Sequence, residues 1–130
     1  EEKRLRALAS SSVDFVSGCA PETLRDLYRA CAMYVQPGEE DFGIAAVEAL
    51  ACGAPVVALG RGGARDIVRD GENGVLYGRE GDDGPDALEA AVGRAASIRF
   101  DYTRLRGSAL PFRPERFAER FQAALRDILK

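Results

Sequence analysis

Short apolar runs alternate with helix-patterned segments along the chain. Four runs bounded by glycine, proline or serine predict strands at residues 13–16, 33–36, 55–59 and 74–77. Apolar residues at helical spacing predict helices at residues 1–9, 21–32, 44–52, 64–69, 85–95 and 114–129. Strands that alternate with helices in this way are typical of the α/β class, so we expect a partial Rossmann-like parallel sheet.

Two of the predicted helices differ in how their apolar residues are arranged. The helix at 44–52 is apolar almost all round, so we expect it to be buried, with Gly53 as its C-terminal cap. The closing helix at 114–129 is clearly amphipathic, and its apolar face carries Phe117, Phe121, Ala124, Leu125 and Ile128. The first pattern predicts a core helix and the second a helix that packs through one face.

Charge and hydropathy exclude two classes of protein. The net charge is -3 and the arginines are scattered among acidic residues, so the chain lacks the basic patch of a nucleic-acid-binding protein. No run approaches the roughly 18 uninterrupted apolar residues needed to cross a bilayer, and no signal-type stretch follows the charged first residues. We therefore expect no nucleic-acid partner, no targeting segment and a cytoplasmic location.

Cysteine and histidine usage limits the chemistry. Cys19, Cys31 and Cys52 are odd in number, far apart and set among small or apolar residues, which favours reduced core thiols over a zinc site. The sequence contains no histidine, so the commonest general base and the commonest metal ligand are both missing. Any reaction must use carboxylates, arginines, backbone groups or another domain.

One acidic residue interrupts the apolar helix at 44–52. Glu48 is the only charged residue in this segment, and a buried carboxylate costs several kcal/mol unless it is satisfied. An internal arginine partner would give it a purely structural role. Alternatively, Glu48 points into a site, where its two oxygens accept hydrogen bonds from vicinal hydroxyls of a sugar.

The loop before that helix combines an anion site with acidic side chains. In parallel α/β sheets, ligands collect at the carboxyl ends of strands, and this loop follows the strand at 33–36. The free N–H groups of residues 43–45 form a site for a phosphate at the helix start. The acids at 39–41 stand beside it and would repel a bare phosphate. A ligand with both a phosphate and sugar hydroxyls fits both features.

Three runs of the sequence resemble the donor-site segments of family 4 glycosyltransferases. In the run at 37–58, Glu40 and Glu48 flank a Phe-Gly turn: Pro-Gly-Glu-Glu-Asp-Phe-Gly-Ile-Ala-Ala-Val-Glu-Ala-Leu-Ala-Cys-Gly-Ala-Pro-Val-Val-Ala. The other two runs are Gly-Gly-Ala-Arg-Asp-Ile-Val at 62–68 and Asp-Gly-Glu-Asn-Gly-Val-Leu at 70–76. The chain is therefore identified as a member of that family, whose enzymes have the GT-B fold.

The resemblance implies a role for each matching residue. Glu40 matches the glutamate that contacts the transferred sugar, and it is the candidate catalytic residue. Glu48 matches the glutamate that holds the ribose hydroxyls of the nucleotide. The turn and helix start that receive the diphosphate match the backbone of Phe42, Gly43 and Ile44. Asp66 stands where the family usually has glutamate, so its role stays open between the site and the local helix start.

The resemblance also implies an activity and an incomplete domain. The activity is retaining transfer of a hexosyl unit from a nucleotide sugar to a hydroxyl acceptor, without a metal or another cofactor. Residues 1–130 would form the nucleotide-sugar donor-binding domain, incomplete at its N-terminal side, and the acceptor domain would be absent. The sheet would then have a gap between the strands at 13–16 and 33–36, and the fragment alone would be inactive.

A finer resemblance concerns the donor. The runs at 39–44, 60–64 and 112–117 look like those of bacterial mannosyltransferases that use GDP-mannose for surface polysaccharides. This implies GDP-mannose as the donor, with UDP-hexoses as alternatives, and a glycan or lipid-linked sugar as the acceptor. The acceptor, and any association with the inner face of the membrane, would involve only the missing domain.

Three alternatives stay open. A non-catalytic nucleotide or nucleotide-sugar binding module could keep the same motif without transferring a sugar. A divalent cation could bind the acidic loop. A dehydrogenase fits badly, because the third glycine of Gly-x-Gly-x-x-Gly would fall at Arg65.

Overall fold

The chain folds into parallel strands that alternate with helices, and the computed structural model describes residues 2–78 and 81–129. The helices in these ranges are α1 (Glu2–Leu8), α2 (Pro21–Ala30), α3 (Ile44–Cys52), α4 (Ala64–Ile67), α5 (Pro85–Ser97), α6 (Tyr102–Ala109) and α7 (Pro114–Ile128). The strands are β1 (Tyr34–Gln36), β2 (Val56–Leu59) and β3 (Gly74–Tyr77), and a 3₁₀ turn at Leu110–Phe112 joins α6 to α7.

The three strands form one parallel sheet in the order β1-β2-β3. Val57 of β2 pairs with Val35 on one side and with Val75 on the other. Every residue of β2 and β3 is buried, as expected for strands covered on both faces. The predicted α/β class with a parallel sheet is confirmed.

Helices cover the sheet on both faces. On one face, α3 and α6 bury Leu50 and Leu105 completely against β2, and Tyr28 of α2 packs at the edge of this cluster. On the other face, α5 packs Ala91 and Ala95 against β2 and β3. Helix α3 follows β1 through the loop at 37–43, and the strands are parallel. The start of α3 therefore lies at the carboxyl ends of the strands.

Helix α3 has the predicted bounds and the predicted cap, but its predicted burial is wrong. Gly53 ends it in the left-handed conformation, with φ of 92°. Only Ala46, Ala49 and Leu50 are buried, whereas Glu48 and the other residues of the helix are exposed or half-buried. A helix that lies on one face of a sheet buries a single stripe, so apolar composition all round did not translate into burial all round.

The predicted strand at 13–16 is also wrong, because these residues have no regular secondary structure. Val13 and Val16 are exposed, and no strand of the described residues lies beside them. A strand requires a neighbour that accepts and donates its backbone hydrogen bonds, and β propensity alone does not supply one. The expected gap in the sheet is therefore replaced by an edge at β1.

The region around 99–113 contains elements that the sequence pattern did not predict. Helix α6 is capped by Asp101, whose side chain accepts hydrogen bonds from the N–H groups of Thr103 and Arg104 at 2.8 and 3.2 Å. The other predicted helices and strands occur with bounds that differ by a few residues at most. Between the predicted strand at 74–77 and the predicted helix at 85–95, Arg79 and Glu80 lie outside the described residues.

The closing helix α7 is amphipathic, as predicted, but it buries none of its residues. Its apolar face, with Phe117 and Phe121 stacked at 5.8 Å between ring centroids, is open to solvent. The three cysteines are free thiols, as predicted, although they are half-buried rather than part of the core. Across the described ranges, no helix combines the length and apolar character that a membrane span needs.

Candidate functional site

The acidic loop that follows β1 is held by the glycine-rich loop that follows β2. The backbone N–H of Gly63 donates a hydrogen bond to the carbonyl oxygen of Glu40 at 2.8 Å. A Cβ atom at Gly63 would collide with the carbonyl group of Phe42, so the two backbones approach more closely than any other residue allows. The conformation of the Glu40–Phe42 segment therefore depends on residue 63 lacking a side chain.

The start of α3 offers unused hydrogen-bond donors. Gly43 opens the helix in the left-handed region, with φ of 87°, and its carbonyl accepts from Ala46 at 3.0 Å. Among residues 2–78 and 81–129, no atom accepts a hydrogen bond from the N–H groups of Gly43, Ile44 or Ala45. Such a helix start, with the positive end of the helix dipole, binds anions.

Glu48 lies on the exposed face of α3, one turn beyond this helix start. It lines a cavity of about 630 Å³ together with Phe42 and Ile44. On its other side it lines a cavity of about 250 Å³ with Tyr28 and Arg25 of α2. The site residues Phe42, Ile44 and Glu48 are therefore brought together around one opening.

Glu48 makes no ion pair with any described residue, so the internal arginine partner considered above is not formed there. Glu48 is exposed rather than buried, so its carboxylate needs no internal partner to offset a cost of burial. What distinguishes this carboxylate is that it is available to a ligand while the rest of α3 is apolar.

Two arginines line the larger cavity together with Glu48. Arg106 lies on α6, with its guanidinium beside Gly53 at the C-terminal end of α3, and Arg113 follows the 3₁₀ turn and borders the wall formed by Phe112. Neither forms an ion pair within the described part of the chain. The ring of Phe42 meets the ring of Phe112 edge to face, with centroids 6.1 Å apart, and this contact joins the acidic loop to that wall. The cavity thus combines an acceptor for hydroxyl groups with positive charge for an anion.

Two tyrosines near β1, Tyr28 and Tyr34, have raised pKa values. Burial raises the pKa of Tyr34, and the carboxylates of Glu40 and Glu48 raise it further. Burial also raises the pKa of Tyr28 to about 12, with smaller contributions from neighbouring groups that include Tyr34 and Glu48. The two glutamates of the motif therefore both raise the pKa of one phenol.

Glu40 and Asp66 occupy different positions from Glu48. Glu40 is exposed in the acidic loop and lines neither of the two cavities beside Glu48. Asp66 lies in the first turn of α4 and lines a separate cavity of about 420 Å³ with Asp41 and Phe42. Within the described residues, no cluster of three or more histidine, cysteine, aspartate or glutamate side chains is arranged to hold a metal ion.

Sequence reasoning missed four residues of this region: Tyr28, Gln36, Arg106 and Arg113. Tyr28 lies in the helix predicted at 21–32, where an aromatic residue at helical spacing indicates packing rather than a site, and the two arginines belong to a segment without a predicted element. Gln36 gave a usable signal, because it is a polar residue at the end of an otherwise apolar strand.

Comparisons with known proteins show the family to which the chain belongs. The sequence profile of the family described as "Glycosyl transferases group 1" matches residues 1–104. D-inositol 3-phosphate glycosyltransferase from Acidothermus cellulolyticus is 36% identical over 99% of this chain and 30% of its own length. The protein of the same name from Rhodococcus erythropolis is 44% identical over 64% of this chain and 19% of its own length. The chain thus spans less than a third of either relative.

Solved structures show the same fold. Sucrose-phosphate synthase from Thermosynechococcus elongatus superposes with a TM-score of 0.79 and 30% identity, over 98% of this chain and 34% of that one. Anabaena HepE in complex with UDP-glucose superposes with a TM-score of 0.51 and 27% identity, over 83% and 34% of the two chains. The α/β arrangement matches that of GT-B glycosyltransferases, and the chain belongs to the group 1 family of glycosyl transferases.

Proposed function

We propose that this chain is the donor-binding part of a retaining glycosyltransferase that transfers a hexosyl unit from a nucleotide sugar to a hydroxyl acceptor. One observation carries the proposal: the unpaired Glu48 carboxylate shares a cavity with the Phe42 turn and the start of α3. Membership of the group 1 family gives independent support. The acceptor is proposed to bind to residues outside this chain.

Each part of the proposed site matches one part of a nucleotide sugar. The Glu48 carboxylate accepts hydrogen bonds from the two ribose hydroxyls, which are vicinal donors at the right spacing for two oxygens. The N–H groups of Gly43 and Ile44 bind the diphosphate at the helix start. Glu40, in the acidic loop that follows β1, contacts the sugar to be transferred. Negative charge that develops on the leaving diphosphate is then stabilised by donors already in place.

We propose a UDP-hexose as the donor, with GDP-mannose as the alternative. The UDP-glucose complex of the structural neighbour from Anabaena supports the uridine nucleotide. The mannose alternative rests on motif resemblance alone. Transfer assays on the full-length protein that carries this chain, with UDP-glucose and GDP-mannose in parallel, separate the two. A clear preference for GDP-mannose would overturn the choice of UDP-hexose and leave the class of reaction unchanged.

Glu40→Gln tests whether the Glu40 carboxylate takes part in the transfer of the sugar. We expect transfer to fall by about a hundredfold or more while UDP still binds, because the substitution removes charge only beside the reacting sugar. The matched control is Glu39→Gln, a neighbouring exposed acid of the same loop, which should transfer at the wild-type rate. Full transfer by Glu40→Gln would show that Glu40 is not the catalytic residue. A wild-type protein that binds UDP-glucose without transferring its sugar would instead support a non-catalytic nucleotide-binding module.

A chelator tests the proposed metal-free reaction. Backbone N–H groups at the start of α3, with basic residues outside this chain, supply the positive charge in this scheme, so transfer should survive excess EDTA unchanged. Loss of transfer that magnesium restores would show that a cation bound by the acidic loop takes part.

A further inference from the structure

Gln36, the last residue of β1, carries a buried amide that has no partner. The residue is only 5% exposed, and neither Nε2 nor Oε1 makes a hydrogen bond within the described part of the chain. Buried amides are almost always paired in native proteins, so an orphaned one calls for a specific explanation. The proposed roles of Glu40 and Glu48 do not provide it.

The orphaned amide lies directly against the start of α3. A Cβ atom built at Gly43 would be 3.8 Å from Nε2 and 3.9 Å from Oε1 of Gln36. Gly43 and the next two residues have N–H groups that lack acceptors, as described above. Two sets of unsatisfied polar groups, one below the turn and one on it, therefore meet at the place proposed for the diphosphate.

Among the described residues, the other buried polar residue shows what a purely structural amide looks like in this fold. Asn73 is 3% exposed, its Oδ1 accepts from the N–H of Arg69 at 2.7 Å, and its Nδ2 donates to the carbonyl of Ile67 at 3.1 Å. Both ends of that amide are satisfied without any ligand. Gln36 is equally buried but has no such partners, so its amide is not explained by folding alone.

We propose that Gln36 is a positioning residue that completes its hydrogen bonds only when a nucleotide sugar is bound. With the diphosphate at the helix start, Nε2 donates to it through one bound water, and Oε1 accepts from an N–H group of the turn that the diphosphate does not use. Because both amide atoms are shielded, this pairing requires a small shift of the Phe42–Gly43 turn onto Gln36. The inference rests on the proposed donor site. It adds that Gln36, packed behind the Phe42–Gly43 turn, positions this turn on the diphosphate of the donor.

Gln36→Met tests this, because methionine keeps the length of the side chain and removes both polar groups. In the full-length protein that carries this chain, we expect roughly three- to tenfold weaker binding of UDP-glucose, the loss of about one hydrogen bond. We expect the Tm of the unliganded protein to stay the same or rise, because an unpaired buried amide is removed. Weaker binding with a Tm at or above that of the wild type supports the proposal.

Every other result contradicts it. Unchanged affinity for UDP-glucose would mean that Gln36 does not act on the donor. Weaker binding together with a lower Tm would identify a structural amide, satisfied by a fixed water in the free protein. Asn73→Leu provides the reference for that case, since it breaks two existing hydrogen bonds and must lower the Tm.

Glu48→Gln separates failure of this inference from failure of the proposed function. If the wild-type protein binds neither UDP-glucose nor UDP, the donor site itself is wrong, and the Gln36 inference is wrong with it. If the wild type binds and Glu48→Gln binds weakly while Gln36→Met binds normally, only the role of Gln36 is wrong.

Discussion

Gly63 and Glu40 are joined by a single backbone hydrogen bond of 2.8 Å that ties the glycine-rich loop to the acidic loop. The bond connects segments that follow two adjacent strands, β1 and β2. The loop that carries Glu40 and Phe42 is consequently fixed from its side by backbone contacts. Within the described part of the chain, the acidic residues of this loop form no ion pair that could hold it in place.

Gly63→Ala should disrupt this contact. A Cβ atom at this position would overlap the carbonyl groups of Phe42 and Asp41, which belong to the backbone and cannot move aside alone. We expect a loss of about 1–3 kcal/mol in the free energy of unfolding, together with weaker UDP binding. Urea denaturation and calorimetric titration with UDP measure the two effects.

The control is Gly38→Ala in the same acidic loop. A Cβ atom there would have no heavy atom within 4 Å, so stability should change by less than about 0.5 kcal/mol and UDP affinity should not change. If the two alanine variants behaved alike, the close approach of the two loops would not be what holds the donor loop.

The raised pKa of Tyr28 predicts how stability depends on pH in alkaline solution. Burial raises this pKa to about 12, whereas an unfolded tyrosine titrates near pH 10. Between about pH 10 and about pH 12 the unfolded chain therefore loses this proton while the folded chain keeps it. The stabilising contribution is complete below pH 10, and the free energy of unfolding falls as the pH rises through this window.

Tyr28→Phe should make that fall less steep, and urea denaturation at a series of alkaline pH values measures it. An ultraviolet titration of the folded protein should show one fewer late-titrating tyrosine in the variant. An unchanged slope would mean that Tyr28 ionises at its ordinary pKa in the folded protein.

The sequence predicted those elements whose ends are set by local chemistry. Gly53 fixes the C-terminal end of α3 through its left-handed conformation, and Pro114 fixes the start of α7 through its ring. The strand at 13–16 failed because a strand depends on a neighbour distant in sequence. Helix α6 was missed because few of its residues are apolar, although Asp101 was a readable N-terminal cap.

The candidate site divides in the same way. Glu48, Phe42 and Ile44 lie within seven residues, so a motif places them together before any fold is known. Arg106 and Arg113 join them only because α6 packs against α3, and no local pattern encodes that contact. The partnerless amide of Gln36 is likewise a property of the packed structure, since unsatisfied atoms are identified only when all neighbours are in place.

The central claim, that the Glu48 carboxylate holds the ribose of the donor, is tested most directly by calorimetric titration with UDP and with 2′-deoxy-UDP. Wild-type protein should bind UDP about tenfold or more tightly than Glu48→Gln, because hydrogen bonds to a charged acceptor are lost. Glu89→Gln, an exposed acid on α5, is the control and should bind UDP as the wild type does.

The account predicts that removing the 2′-hydroxyl weakens binding to the wild type but has a much smaller effect in Glu48→Gln, since both changes remove the same contact. Equal affinity of Glu48→Gln and the wild type for UDP would contradict it.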